Sequence, residues 1–157
     1  MPEPIVEAVD VAKVYQLGKT EVHALRHVDL VVERGEFLSI AGPSGSGKTT
    51  LLNVIGGVDV PSSGTVRVDG EDTSKLAERA LTRLRLDHIG FIFQTFNLVA
   101  VLTVFQNVEF PLLLQGRMNS GERRRRVNAL LEAVGLAGHS RHRPSELSGG
   151  QRQRVAV

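Results

Sequence analysis

The chain has 157 residues, a formal net charge of +2, 41% apolar and 23% charged residues, and no cysteine. That is ordinary usage for one globular domain with a core of its own, and the lack of Cys excludes a disulfide scaffold, a zinc ribbon and a cysteine nucleophile. No apolar run approaches the roughly 18 residues of a membrane-spanning helix, and Met1-Pro2-Glu3-Pro4 lacks the basic and apolar regions of a secretory signal, so an intracellular soluble chain is expected.

Ile5–Val14 and Glu21–Val32 alternate in part and read as strands, with Gln16–Thr20, which contains Gly18, as their hairpin connection. Phe37–Ala41 is apolar except for Ser39 and suits a strand buried on both faces of a parallel sheet. A glycine-rich loop follows, and then helical spacing over Thr49–Ile55. Pro61-Ser62-Ser63-Gly64 reads as a turn, Thr65–Val68 as a short strand, and Asp69-Gly70 as its close. Ser74 is the expected cap of a helix over Lys75–Leu86, with Leu76, Ala80 and Leu84 on one face. Ile89–Phe93 reads as a second buried strand. Ser120 is the expected cap of a helix with Val127, Leu130, Leu131 and Val134 as its stripe and Gly135 as its stop, and Ser148 opens a last helix.

Two stretches depart from this pattern. Ile89–Leu114 carries a single charge, Glu109; its Gln and Asn residues argue against lipid, which leaves core or a partner-covered apolar surface. Residues 117–157 hold nine Lys+Arg against three Asp+Glu. Arg123–Arg126 fall on all sides of one helical turn, and no aromatic residue follows Phe110, so a solvated surface is expected and no nucleic acid partner. His139-x-x-His142 has helical spacing but too few ligands nearby for a metal site.

Gly42-Pro43-Ser44-Gly45-Ser46-Gly47-Lys48-Thr49 fits G-x-x-x-x-G-K-[ST] between an apolar strand pattern and a helical one, the context that marks a P-loop. The glycines let successive backbone N–H groups turn inward at phosphate oxygens, and the following helix adds its positive N-terminal end. Lys48 supplies a mobile charge for the β- and γ-phosphates, and the Thr49 hydroxyl can ligate Mg²⁺. Further on, Leu147-Ser148-Gly149-Gly150-Gln151 places two glycines after a Ser at a helix start, a second anion-receptive turn.

Together the two motifs resemble those of the ATP-binding cassette (ABC) nucleotide-binding domain, over essentially the whole chain. The resemblance implies an α/β fold: a P-loop core, an N-terminal antiparallel β-subdomain and a helical subdomain, incomplete at the C-terminus. The implied layout is residues 1–94 for the β-subdomain and core, 95–150 for the helical subdomain and 151–157 for the start of the returning helix. ATP and Mg²⁺ are the implied cofactors, held by Gly42–Thr50, with Tyr15 stacked on adenine. Ser148, Gly149, Gly150 and Gln151 would be the signature that reaches ATP on a second subunit. Gln94, after Phe91-Ile92-Phe93, resembles the glutamine that touches Mg²⁺ and senses the membrane partner. Lys48 and Gln94 would then serve catalysis, and Thr49 and Gln94 the metal.

Phe93–Leu98 and Asn107–Leu112 resemble the branch of lipoprotein-releasing, macrolide-exporting and cell-division ATPases, although Val99-Ala100 replaces the usual Leu-Pro and Gln106 the common Glu. The implied role is the ATP-binding subunit of a transporter: a homodimer, cytoplasmic and peripheral on the membrane, docking a separate integral membrane permease through Gln94–Leu114. The alternatives are a regulatory or structural module of a membrane complex, or a gene fragment without function of its own. The family's Walker B strand, ending in Asp-Glu, has no counterpart in the 157 residues, and none of His23, His27, His88, His139 and His142 can be the switch histidine. A polypeptide of these residues alone is therefore expected not to hydrolyse ATP.

Overall fold

A computed structural model describes residues 3–157, which divide into two compact units, one running to Ile89 and one over Gly90–Val157, each with its own apolar core. In the first unit the expected hairpin is present: β1 (Val6–Leu17) and β2 (Thr20–Val32) pair antiparallel around Gly18 and Lys19. β3 (Ser63–Val68) pairs with the other side of β1, and β4 (Glu71–Asp72) with β3, giving the order β2-β1-β3-β4.

The partial alternation of β1 has a structural cause. Ala8 and Val11 are both buried although three residues apart, a spacing that places side chains on opposite faces of a regular strand. A bulge restores the parity. Asp10 adopts φ 52°, the register slips between Ala8 and Val11, and the Asp10 N–H donates to the Asp29 carboxylate at 2.7 Å. His27 on β2, at φ 50°, sets its Nδ1 2.6 Å from Asp10 Oδ1. A Cβ at Gly64, whose φ is 84°, would collide with the Asp10 carbonyl, so only glycine lets β3 lie against the bulge.

Helix α1 (Lys48–Ile55) buries Leu51 and Val54 in a core with Val11, Leu25 and Val66, and stops at Gly56-Gly57. The next helix starts later than expected. Ser74 lies in a 3-10 turn (Thr73–Lys75) capped by Asp72, which accepts both the Ser74 N–H and its hydroxyl. Helix α2 spans Glu78–His88, and its buried face is Leu81 and Leu84; Ala80 is exposed.

The two expected parallel strands do not form. Phe37–Ala41 and Ile89–Phe93 carry no strand pairing among the described residues; Phe37 is 96% and Ile92 65% exposed. A strand exists only through a hydrogen-bonded neighbour, and neither segment has one. Ile40 still packs against the first core.

The second unit is helical. Helix α3 (Val104–Gln115) occupies the low-charge stretch that had no assigned secondary structure. Thr103 and Gln106 close a capping box at its start, and Gly116 ends it at φ 66°. Helix α4 (Ser120–Ala133) has Asn119 as its cap rather than Ser120, with Glu122 as reciprocal partner. Helix α5 (Gly149–Ala156) is capped by Ser148 as expected. Val104, Val127, Leu131, Leu136, Leu147 and Val155 form the core. Arg123 donates to Glu109 at 3.2 Å and to the Met118 carbonyl at 2.8 Å, so one of the four arginines ties α4 to α3; the other three are exposed. Asn107 clasps the preceding loop: its Oδ1 accepts the Val99 N–H at 2.8 Å, and its Nδ2 donates to the carbonyls of Val99, Leu102 and Thr103.

Candidate nucleotide-binding site

The loop is exposed over residues 42–46 and runs through the half-buried Gly47 into α1. Gly47 stands at the helix N-cap at φ 91°, and no side chain caps the first turn, so the orphan N–H groups at this end are open to a ligand. A Cβ on Gly47 would lie 2.5 Å from the Ala24 carbonyl oxygen on β2, which fixes glycine here by both sterics and backbone angle. The Lys48 ammonium folds back over the loop, donating to the carbonyls of Gly42 at 2.8 Å and Pro43 at 2.7 Å and to Ser46 Oγ at 3.3 Å. These acceptors are neutral, so an arriving phosphate can take the charge over without breaking an ion pair. The loop is braced by the Ser46 N–H donating to the Pro43 carbonyl.

The exposed Thr49 hydroxyl follows Lys48 on α1. No group of three or more His, Asp or Glu among the described residues could hold a metal by itself. The Thr49 hydroxyl is an oxygen donor of the kind Mg²⁺ takes.

Tyr15 lies half-buried on β1. Its hydroxyl donates to Asp59 Oδ2 at 2.7 Å, while Lys13 Nζ sits 2.5 Å from Asp59 Oδ1, 2.7 Å from the Val60 carbonyl and 5.0 Å from the centre of the Tyr15 ring. The hydrogen bond to Asp59, burial and the carboxylate charge hold the phenol above its ordinary pKa of 10.0, against a smaller opposing effect of Thr50. Burial pushes the Asp59 carboxyl up, but hydrogen bonds from Lys13, Tyr15 and the Val60 N–H, with the Lys13 charge, outweigh it and leave the group below the usual 3.8. The first unit thus brings together Tyr15, Thr50 and the loop. Nothing in the sequence signalled Asp59 as the group that orients the ring; it follows a glycine pair and an apolar residue, as many loop aspartates do.

The other site residues lie in the second unit. Gln94 is exposed, in a segment where Phe96 and Asn97 take φ 63° and 50° and Phe91 stacks on Phe93 with centroids 5.4 Å apart. The Arg152 guanidinium lies over the Phe96 ring at 5.5 Å, which joins this segment to α5. Ser148 Oγ accepts the Gln151 N–H at 3.3 Å, and Gln151 Oε1 accepts the Ser148 N–H at 2.8 Å, so the two polar members of the signature cap their own helix and Gly149 and Gly150 stay exposed.

An antiparallel β-subdomain carrying a P-loop, together with a helical subdomain that ends in Leu-Ser-Gly-Gly-Gln, defines an ATP-binding cassette. Residues 25–157 match the family described as ABC transporter, and the chain belongs to that family. It is 48% identical over 153 residues to an uncharacterized ABC transporter ATP-binding protein of Thermotoga maritima, covering 98% of this chain and 65% of the relative. It is 44% identical over 156 residues to a macrolide export ATP-binding/permease protein of Marinobacter nauticus, covering 99% of this chain and 24% of the relative. Among solved structures, the ATP-binding cassette MJ0796, a protein of Methanocaldococcus jannaschii, superposes with a TM-score of 0.90 at 46% identity, over 96% of this chain and 66% of that one. That structure is dimeric, in a post-hydrolysis state, and bound to ADP and Pi. The chain spans about two thirds of the length of these two ATP-binding relatives from Thermotoga maritima and Methanocaldococcus jannaschii.

Proposed function

We propose that the chain carries the nucleotide-binding machinery of an ABC ATPase that couples ATP binding and hydrolysis to a separate membrane permease. The observation that carries this reading is the uncapped start of α1 at Gly47, with Lys48 held over the loop by neutral acceptors, in a chain close in sequence to known ABC ATP-binding proteins. The loop Gly42–Thr50 would wrap the phosphates with backbone N–H groups, and Lys48 would leave its carbonyls for the β- and γ-oxygens. Thr49 and Gln94 would hold Mg²⁺ along with those oxygens, and the metal would neutralise charge on the transferring group. Tyr15, pinned through its hydroxyl to Asp59, would offer its ring to adenine.

Ser148, Gly149, Gly150 and Gln151 would meet ATP held by a second copy, as the dimeric relative suggests. The exposed, nearly uncharged surface of Phe110, Leu113 and Leu114 on α3 supports docking of a permease helix along Gln94–Leu114. No helix among the described residues is long and apolar enough to cross a membrane; the reading assigns the membrane element to the permease. The protein would then work at the cytoplasmic face. Residues 1–157 by themselves would bind MgATP without turning it over, because they contain no apolar run ending in Asp-Glu to position the attacking water.

Equilibrium binding tests the site. MgATP should bind residues 1–157 and tripolyphosphate should compete for the same loop, with adenine adding affinity through Tyr15. A chain that binds neither overturns the reading. Crosslinking from Thr95→Cys or Leu102→Cys to a co-expressed membrane subunit tests the docking surface; crosslinks between ATPase copies alone would refute it.

A further inference from the structure

The turn at residues 139–142 joins two parts of the second unit that the proposed function uses separately. On one side it completes the start of α3: the carbonyls of His142 and Ser140 accept the Val104 and Phe105 N–H groups at 2.8 and 2.9 Å. On the other side the His139 ring reaches the signature, with Nε2 3.0 Å from Gln151 Nε2. The other end of that amide is already committed, because Gln151 Oε1 accepts the Ser148 N–H. The amide nitrogen is therefore the donor, and His139 Nε2 must be a bare acceptor. The ring proton then sits on Nδ1, which is buried and meets no partner. The ring makes this one side-chain bond at the expense of an unsatisfied donor, which is the arrangement of a group held in place for its far end.

A glutamine side chain has three free torsions, and a capping contact at an exposed helix start holds it only loosely. Anchoring its nitrogen removes that freedom and fixes the carbonyl on Ser148. We propose that His139 is a positioning residue for the signature: by accepting from Gln151 Nε2 it locks the Ser148–Gln151 turn, and through the carbonyls of Ser140 and His142 it ties that turn to the start of α3. The proposal rests on the reading of Ser148–Gln151 as a phosphate contact. It goes further, because it names the link by which a displacement of α3 reaches the signature.

The test uses the chain as given. Nitrogen-15 NMR of the imidazoles should find His139 as the Nδ1–H tautomer at neutral pH, with Nε2 unprotonated; the Nε2–H tautomer would overturn the proposal without any variant. His139→Leu keeps the side-chain volume and removes the acceptor, and should speed amide exchange at Ser148 and Gln151 by several-fold. His139→Gln, which returns an oxygen near the place of Nε2, should restore slow exchange. Unchanged exchange in His139→Leu would sink the proposal, as would equal loosening in both variants. If His139→Leu does not fold, His139→Asn, too short to reach, replaces it with the same expected result. Exchange that loosens and is rescued, while the MgATP dependence of dimerisation stays the same in His139→Leu, upholds His139 and removes instead the reading of the signature turn as a phosphate contact.

Discussion

Asp59→Ala removes the one carboxylate that orients Tyr15. Three charge-assisted hydrogen bonds end on it, from Lys13 at 2.5 Å, Tyr15 at 2.7 Å and the Val60 N–H at 2.7 Å. Bonds of this kind are worth about 1.5–3 kcal/mol each. Lys13 keeps the Val60 carbonyl and the Tyr15 ring, and Asp59 is 27% exposed, so water screens part of the loss. The net cost is set at about 2 kcal/mol. For a cooperative unit of 60–100 residues that lowers Tm by about 10 °C. The assay has a site-specific reporter, because Tyr15 is the only tyrosine and there is no tryptophan. Ultraviolet titration of the phenol should give a midpoint above 10.0 in the parent chain, and Asp59→Asn should bring it back toward that value. Acid gives the complementary check. A carboxyl whose folded pKa is depressed contributes stability that is full above its unfolded value of 3.8 and is lost as pH falls through the lower folded value. The parent chain should lose stability in that window, and Asp59→Ala should lack this part of the loss. An unchanged melting temperature in Asp59→Ala, or a parent phenol that titrates at or below 10.0, would refute the assignment.

Lys48→Ala should weaken MgATP binding at least tenfold by equilibrium dialysis while leaving the melting temperature of the free chain nearly unchanged, since its acceptors are exposed and can turn to water. Gly47→Ala forces a side chain into φ 91° and against the Ala24 carbonyl; it should cost about 2 kcal/mol or more, read as a lower urea midpoint, together with lost binding. Thr103→Ala breaks the capping box of α3 and should cost about 1 kcal/mol, seen as faster amide exchange at Gln106. A complete polypeptide carrying Lys48→Ala should show no phosphate release above background.

The parts of the molecule that were legible in the sequence are those whose cause is local. Gly18 and the flanking alternation specify the hairpin, Gly135 follows the end of α4, and Ser148 announces α5. The shape of the loop before α1 is legible because it needs backbone-permissive residues, Gly45 and Gly47 at φ 78° and 91°. What could not be read depends on neighbours. Phe37–Ala41 has the composition of a buried strand but no strand paired beside it, so all of these residues except Ile40 lie exposed. Helix α3 escaped notice because its apolar residues run almost all round it and Pro111 sits inside it, which erases the helical period. Its usable signal was the Thr103 and Gln106 pair. The start of α2 shifted because Asp72 competes for Ser74, and that of α4 because Asn119 stands one place ahead of Ser120. The ties of Tyr15 to Asp59 and of Gln151 to His139 span 44 and 12 residues, distances over which a single sequence carries no pairing signal.

The bulge at Asp10 and His27 also bears on whether the protein stays apart from its own copies. Strand β2 is thirteen residues long and pairs with β1 alone, so its outer rim offers a row of free N–H and C=O groups to any passing strand. His27, at φ 50°, kinks that rim near its middle, and the exposed Glu21 and Arg26 add charge to the strand. A second copy approaching edge to edge would find a bent ladder and opposed charges instead of a flat template. The turn that looks like an irregularity of one strand thereby makes the outer edge of the sheet a poor template for a second strand.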